Sequence, residues 1–459
     1  MAKLFGTDGI RGEAGRFPLD TNGIYAAGRS LACHLATKID EGRAPRIVIG
    51  RDTRESGAWI EAAFIAGARE AGAVCETAGI ITTPGVAYLT RTLPTDAGVV
   101  ISASHNPFQD NGIKIFAPSG RKLDDEMERR IEADIQAFAA EDKEPEAKKA
   151  SMEIEANDTA HSAALRLRYL DYLEKDVAVG LDLQGLSIVL DCANGAAYEL
   201  APALFARLGA RIIAINDAPD GRNINLDCGS LHTEGLREKV VESRADIGVA
   251  FDGDADRALF VDAHGKFVDG DATLWAMAQH FKAHGQLEGD AVVATVMSNI
   301  GLEIALHTLG VKLLRADVGD KYVLEELLRT KTVLGGEQSG HIIFPRRSLA
   351  GDGMMTTLFL LRAMRETNKQ LGELVQGFKR YPQVLVNVRV REKRAFDQVE
   401  EISRAARGIE EQLGARGRLL LRYSGTESLA RVMIEGERQE DIERQAHALA
   451  ATIKDSLGA

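Results

Sequence analysis

Ala97-Gly98-Val99-Val100-Ile101-Ser102-Ala103-Ser104-His105-Asn106-Pro107, with Asn111-Gly112-Ile113-Lys114 close behind, is the stretch from which the chain is best read. Its first five residues are a continuous apolar run, the pattern of a strand buried on both faces. The run enters a loop that holds a serine and a histidine, and a lysine follows within the same expected loop. α/β folds place their chemistry at such strand ends. A Ser-Asx-Pro cluster by itself is most often only a turn, so the loop gains meaning from the stretches around it.

The unit containing it recurs. Arg46 to Asp52 reads as a strand ending in a polar turn, a helix runs through Ala71 to a break at Gly72, and Ala73 to Glu76 is a second strand. The same order returns from Leu186 to Asp191, through a helix ending at Leu208-Gly209-Ala210 and a strand from Arg211 to Ile215. Its later strand, Ile247 to Phe251, enters Asp252-Gly253-Asp254-Ala255-Asp256-Arg257. A third copy starts at Ala291 to Ala294, passes Leu309 to Lys312, and leads through Val333-Leu334 into Gly335-Gly336-Glu337-Gln338-Ser339-Gly340-His341. Strands alternating with helices predict mixed or parallel sheets covered by helices. After residue 370 the pattern changes to alternating strands, Val384 to Val390, Gly417 to Arg422 and Ala430 to Glu435. The expected fold class is therefore α/β: three related mixed α/β domains plus a smaller C-terminal α+β domain. The charged, apolar-poor stretch Glu141 to Lys149 is a candidate boundary. The expected limits are 1–155, 156–256, 257–372 and 373–459.

The chain has 459 residues, 45% hydrophobic and 27% charged, as in an ordinary globular protein. A formal net charge of -12 argues against nucleic-acid partners but leaves room for a local basic pocket. No apolar run is long enough to cross a membrane, and Met1-Ala2-Lys3-Leu4-Phe5 carries no secretory apolar region. Cys33, Cys75, Cys192 and Cys228 are scattered without a CxxC spacing, which reads as reduced thiols. A cytoplasmic location is expected.

The loops differ in chemistry. Asp252, Asp254 and Asp256 alternate within one short loop, and three carboxylates this close repel unless a cation lies among them. Hard oxygen donors suit Mg²⁺. A calcium EF-hand is excluded, because its sixth position needs Gly where this chain has Arg257, and its twelfth needs Glu where it has Ala263. A phosphatase with an aspartate nucleophile remains a competitor. Glu337, Gln338, Ser339 and His341 offer a donor set suited to sugar hydroxyls. Arg422, Ser424, Gly425, Thr426 and Arg431 combine two guanidiniums with a turn whose amides can face the same anion. Gly6-Thr7-Asp8-Gly9-Ile10-Arg11-Gly12 is a glycine-rich loop presenting Arg11, without the pattern of a nucleotide-binding P-loop. Taken together, the loops point to phosphoryl transfer on a sugar phosphate.

LFGTDGIRG, SASHNP with NGIK, DGDADR, GEQSGH and RYSGTES occur in the order found in the α-D-phosphohexomutase superfamily, which the chain resembles over essentially its whole length. Its amino-sugar members are the best match. The resemblance implies four domains around a central cleft. It implies that Ser104 carries a phosphoryl group, and that one Mg²⁺ ion is held by Asp252, Asp254, Asp256 and an oxygen on Ser104. Lys114 and Arg11 match residues that handle proton and charge at the transfer site, which His105 and Arg257 line. Glu337 and Ser339 match contacts to the sugar's 3- and 4-hydroxyls, with His341 and Lys321 nearby. Arg422, Ser424, Gly425, Thr426 and Arg431 match the grip on the non-reacting phosphate. The implied reaction converts glucosamine 6-phosphate to glucosamine 1-phosphate through a 1,6-bisphosphate, of glucosamine or glucose, in a monomer or homodimer. A phosphomannomutase or phosphoglucomutase with the same machinery is the alternative, and a non-catalytic sugar-phosphate sensor is a third reading. Ala255 stands where related chains commonly have Gly, and Tyr423 and Ser428 where they usually have Pro.

Overall fold

The computed structural model describes residues 3–6, 8–39, 42–140, 159–424 and 427–458. The stretch Glu141 to Lys149, expected as a boundary, lies outside them. The chain divides into two compact units: Met1–Val296 with Leu314–Gln376, and Met297–Leu313 with Gly377–Ala459.

The strands are β1 (Ile10–Glu13), β2 (Arg46–Arg51), β3 (Val74–Ile80), β4 (Ala97–Ile101), β5 (Asp110–Phe116), β6 (Ser187–Asp191), β7 (Arg211–Ile215), β8 (Ile247–Phe251), β9 (Ala258–Asp262), β10 (Phe267–Val268), β11 (Ala291–Thr295), β12 (Lys312–Ala316), β13 (Gly335–Gly336), β14 (Ile342–Ile343), β15 (Gln383–Arg389), β16 (Arg418–Tyr423) and β17 (Leu429–Glu435). Among the described residues they form four sheets, ordered β1-β5-β4-β2-β3, β10-β9-β8-β6-β7, β12-β11-β13-β14 and β15-β17-β16. This is the expected multi-domain α/β architecture. The apolar runs become the central strands, with β4, β6, β8 and β11 buried at every residue. Such strands need cover on both faces, and helices supply it. In the first sheet that core includes Ile24, Leu31, Phe64, Val99, Ile101 and Ile131.

The first two sheets share more than an order of elements. β2 pairs parallel with β3 and β4, and β4 then pairs antiparallel with β5. β6 likewise pairs parallel with β7 and β8, and β8 antiparallel with β9. In the third sheet β11 pairs parallel with β13, and β13 antiparallel with β14. Each chemistry-bearing loop is thus the link from a parallel strand to an antiparallel neighbour: Ser104 between β4 and β5, Asp252 to Asp256 between β8 and β9, Glu337 to His341 between β13 and β14.

Two expectations change. Lys114 lies on β5 and not in the loop, paired with Val100 of β4. Arg11 lies on β1 and not in a free turn, paired with Gly112 of β5. Ladder hydrogen bonds to a neighbouring strand fix both residues. β9 and β10 continue the second sheet beyond Asp256 as far as Val268. Among the described residues no helix is long and apolar enough to cross a membrane.

Candidate active site

Ser104 leaves β4 in a left-handed backbone conformation, φ 53°, and is fully buried. Its amide donates to Ser102 Oγ (2.9 Å), and Ser102 Oγ donates to Asp52 Oδ2 (2.6 Å). Its carbonyl accepts from Arg54 Nη2 and Asn225 Nδ2, both at 2.9 Å. With its backbone held on both sides, the side chain has one direction to take. Ser104 Oγ donates to Asp252 Oδ2 (2.5 Å) and lies 3.3 Å from His105 Nδ1. The two loops meet closely: a Cβ on Gly253 would stand 2.5 Å from the Ser104 carbonyl oxygen. That contact requires glycine there.

Asp252, Asp254 and Asp256 are buried, and each offers a carboxylate oxygen within 4.8 Å of the others. Asp254 Oδ1 and Asp256 Oδ1 are buried without a hydrogen-bond partner. A buried, all-oxygen donor set with two open lone-pair sites fits a hard divalent cation. Burial, with Asp256 and Asp254 beside it, pushes the Asp252 carboxyl well above the usual range. The Asp254 side is fastened to the first sheet's helices. Thr83, first residue of the helix Thr83–Thr92, donates through Oγ1 to Asp254 Oδ2 (2.5 Å) and through its amide to the Asp254 carbonyl (3.0 Å).

Lys114 is 1% exposed, and its Nζ lies 2.7 Å from Asp254, 3.1 Å from Asp8 and 3.5 Å from Asp256. Burial opposes its charge, but Asp254, Asp8 and Asp256 outweigh burial and hold its pKa well above the usual lysine value. Lys114 is therefore held tightly among three carboxylates. Arg11 pairs with Asp8 and donates from Nη1 to the Ala103 carbonyl (3.4 Å). Arg257 Nη1 donates to His105 Nδ1 (3.2 Å). A guanidinium can only donate, so Nδ1 carries the lone pair and His105 is neutral. Burial, Arg257 and Arg11 accordingly lower its pKa to about 4.

Two adjoining clefts open beside this cluster. One, of about 410 Å³, is lined by Asp8, Lys122, Asp125, Asp320, Lys321 and His341 among others. The second, of about 510 Å³, includes Arg11, His105, Arg257, Gly319, Glu337 and His341. Glu337 accepts from the Gly319 amide (3.2 Å) and from Ser339 Oγ (3.3 Å). The Gly351 amide donates to His341 Nε2 (3.1 Å), so Nδ1 is the protonated nitrogen and faces Asp256 at 3.6 Å. Lys321 pairs with Asp125 at the rim. Lys122 bridges Asp8 and Asp320.

In the second unit, Arg422 of β16 stands directly opposite Arg431 of β17. Like charges facing across a ladder repel, which is the arrangement an anion relieves. Ser424 is buried, and its Oγ accepts from the Glu427 amide (3.3 Å) and Arg431 Nη2 (3.5 Å). Gly425 and Thr426 lie outside the described residues.

Several site residues carried no signal in the sequence. Arg54 is 1% exposed, and its guanidinium donates to the carbonyls of Ser104, Asn106 and Pro107. Its Nε pairs with Asp52 at 3.0 Å. Asp8, Lys122, Thr83 and Asp320 also went unremarked as partners, because each acquires its role from residues far away in sequence.

Ala255 adopts φ 55° and is fully buried. Glycine enters that region without the Cβ penalty of about 1 kcal/mol. Ala255→Gly is expected to raise the unfolding free energy by about 0.5–1 kcal/mol, part of the relief being offset by loss of one buried methyl. Urea denaturation checks this, and a loss of stability would show that the methyl contacts dominate.

Domain models of the phosphoglucomutase/phosphomannomutase family match the chain in order. They cover alpha/beta/alpha domain I at residues 2–142, domain II at 167–265, domain III at 269–381 and the C-terminal domain at 385–452. A phosphoglucosamine mutase from Solibacter usitatus is 49% identical over 459 residues, covering 100% of each chain. A phosphoglucomutase/phosphomannomutase family protein from Burkholderia thailandensis shares the fold, with TM-score 0.78, 22% identity and coverage of 99% of this chain and 97% of that one. So does an Aspergillus fumigatus N-acetylphosphoglucosamine mutase, solved in complex with GlcNAc-6P and magnesium, with TM-score 0.64, 20% identity and coverage of 98% and 95%. Matched in four successive domains and in half of its residues along its full length, the chain belongs to the phosphoglucosamine mutases of the phosphoglucomutase/phosphomannomutase family.

Proposed function

We propose that the protein, an isomerase-class phosphotransferase, interconverts glucosamine 6-phosphate and glucosamine 1-phosphate through phosphorylated Ser104. The observation that carries this is the convergence of the buried Ser104 hydroxyl on Asp252, at 2.5 Å, within a cage of three aspartates. In the forward direction the sugar's 1-hydroxyl oxygen forms a bond to the phosphorus on Ser104 as the P–Oγ bond breaks. The hydroxyl proton ends on Oγ. The 1,6-bisphosphate then turns and returns its 6-phosphoryl group to Ser104 by the same exchange.

The basic side chains of Lys114, Arg11 and Arg257 offset charge on the transferring group. His105 lines the approach to Ser104 Oγ. Asp252, Asp254 and Asp256, with an oxygen on Ser104, are the residues that would hold Mg²⁺, which supplies charge neutralisation at the phosphoryl oxygens. The Aspergillus fumigatus relative, solved with magnesium and a sugar phosphate, supports that assignment. Glu337 and Ser339 take the sugar hydroxyls, with His341 and Lys321 beside them. Arg422, Ser424, Gly425, Thr426 and Arg431 take the non-reacting phosphate. The reading includes four domains, the second ending near Val268, a monomer or homodimer, and a cytoplasmic location.

The test is kcat/KM for glucosamine 6-phosphate, glucose 6-phosphate and mannose 6-phosphate, with Mg²⁺ and the matching 1,6-bisphosphate. The amino sugar is expected to lead by roughly tenfold or more. A lead for glucose or mannose would keep the chemistry and move the enzyme to hexose phosphates.

A further inference from the structure

The helices Gly270–Ala283 and Gly353–Thr367 pack against each other. Near their C-terminal ends stand His280, His284 and Glu366, each offering a ligand atom within 4.8 Å of the others. His280 and His284 are four residues apart, so they share one helix face. Their Nε2 atoms lie 3.3 Å and 3.6 Å from the same oxygen, Glu366 Oε2. An ion with bonds of about 2.0–2.2 Å to nitrogen and oxygen, in tetrahedral geometry, sets its ligands roughly 3.3–3.6 Å apart.

The surroundings prepare these atoms for coordination. His284 Nδ1 is 2.7 Å from the His280 carbonyl oxygen, which can only accept. Nδ1 therefore holds the proton and Nε2 presents its lone pair, the arrangement seen where a second hydrogen bond orients a ligating histidine. Arg362 engages the other carboxylate oxygen, Glu366 Oε1, at 3.5 Å. His280 is 5% exposed. His284 and Glu366 are exposed, with side-chain exposures of 41% and 39%, which leaves solvent access for a fourth ligand.

We propose that His280, His284 and Glu366 form a second cation site, separate from the aspartate cage, that takes a Zn²⁺-class ion with water as the fourth ligand. Two imidazoles and one carboxylate favour a borderline transition metal over Mg²⁺. The site lies about 20 Å, one helix length, from the catalytic loops. Both helices begin at those loops: the Gly270 amide donates to the Gln338 carbonyl, and the Gly353 amide to the Ala255 carbonyl, each at 3.0 Å. The ion therefore clamps the far ends of the two helices that support the sugar loop and the aspartate loop. Its role is structural.

The test is calorimetric titration of the chelator-stripped full-length protein with Zn²⁺ in excess Mg²⁺, which keeps the aspartate cage supplied with its hard cation. The expected result is one Zn²⁺ bound, and a melting temperature raised by a few degrees at about 100-fold excess over Kd. His284→Ala and Glu366→Gln are each expected to lose that ion and that rise. Both should keep wild-type turnover with Mg²⁺ and wild-type melting in chelator, since neither side chain is buried. Co²⁺ in place of Zn²⁺ should give visible absorption in the wild type and none in either variant. No Zn²⁺ binding by the wild type, or undiminished binding by both variants, would overturn the proposal.

Discussion

Ser104→Ala is expected to lower kcat by about 10³-fold or more, with melting temperature close to wild type. The hydroxyl is the phosphoryl carrier in the proposed reaction, and alanine offers no oxygen in its place. His105 Nδ1 is committed to Arg257, and Asp254 and Asp256 face Lys114. Alanine keeps the Cβ and the same left-handed backbone, φ 53°, so the loop is asked for no new conformation. The Ser104–Asp252 hydrogen bond is lost, which costs about 1 kcal/mol. Ser104→Gly, which relieves the backbone conformation, is expected to be equally inactive and at least as stable as the alanine variant. Steady-state kinetics with glucosamine 6-phosphate, beside thermal melting, reads both. More than about a tenth of wild-type kcat in either variant would remove Ser104 from its role.

Arg54→Ala is expected to cost about 3–5 kcal/mol of stability, and Arg54→Lys about 2 kcal/mol. The Arg54 and Asp52 side chains are both 0% exposed, so the alanine variant buries an unpaired carboxylate. Burial already raises the Asp52 pKa, against the pull of Arg54 and the Ser102 hydroxyl, and loss of the guanidinium raises it further. Lysine keeps the charge, but one ammonium cannot reach three carbonyls in the Ser104 loop and Asp52 as well. With Asn225 left as the one side-chain donor to its carbonyl, Ser104 is held less firmly toward Asp252, and a shift of that kind is worth roughly 10²-fold in kcat. Urea denaturation and kcat test the two effects separately. If Arg54→Lys unfolds like wild type, the fork geometry is not what the loop needs.

The parts legible in the sequence were those with local signals. β4, β8 and β11 announce themselves because strands buried on both faces tolerate no polar residue until the loop begins. Asp252, Asp254 and Asp256 were legible because clustered carboxylates need a cation wherever they fold. β1 and β5 were hidden because they carry Arg11, Asn111 and Lys114, whose partners Asp8, Ser56 and Asp254 come from other elements. Polar residues in a strand interrupt the apolar pattern, and distant partners leave no trace in it. Arg54 is the extreme case, since its acceptors are backbone carbonyls about 50 residues away and any sequence would supply them. The His280, His284 and Glu366 cluster escaped for the same reason, as two of its members share a helix and the third comes from another.

The smaller unit is assembled from two separated pieces of chain, Met297–Leu313 and Gly377–Ala459. Asn299 Nδ2 donates to Glu435 Oε1 (3.1 Å) and the Ile300 amide to Glu435 Oε2 (3.2 Å), so the first piece finds its partner only when β17 has been made. At about 5–20 residues per second of synthesis, the intervening stretch of roughly 120 residues takes on the order of 6–24 s to appear. For that interval the apolar helix Ile300–Thr308 emerges from the ribosome without the chain that completes its unit. Biosynthesis, more than equilibrium stability, is thus where this arrangement exposes the chain to aggregation and to capture by chaperones.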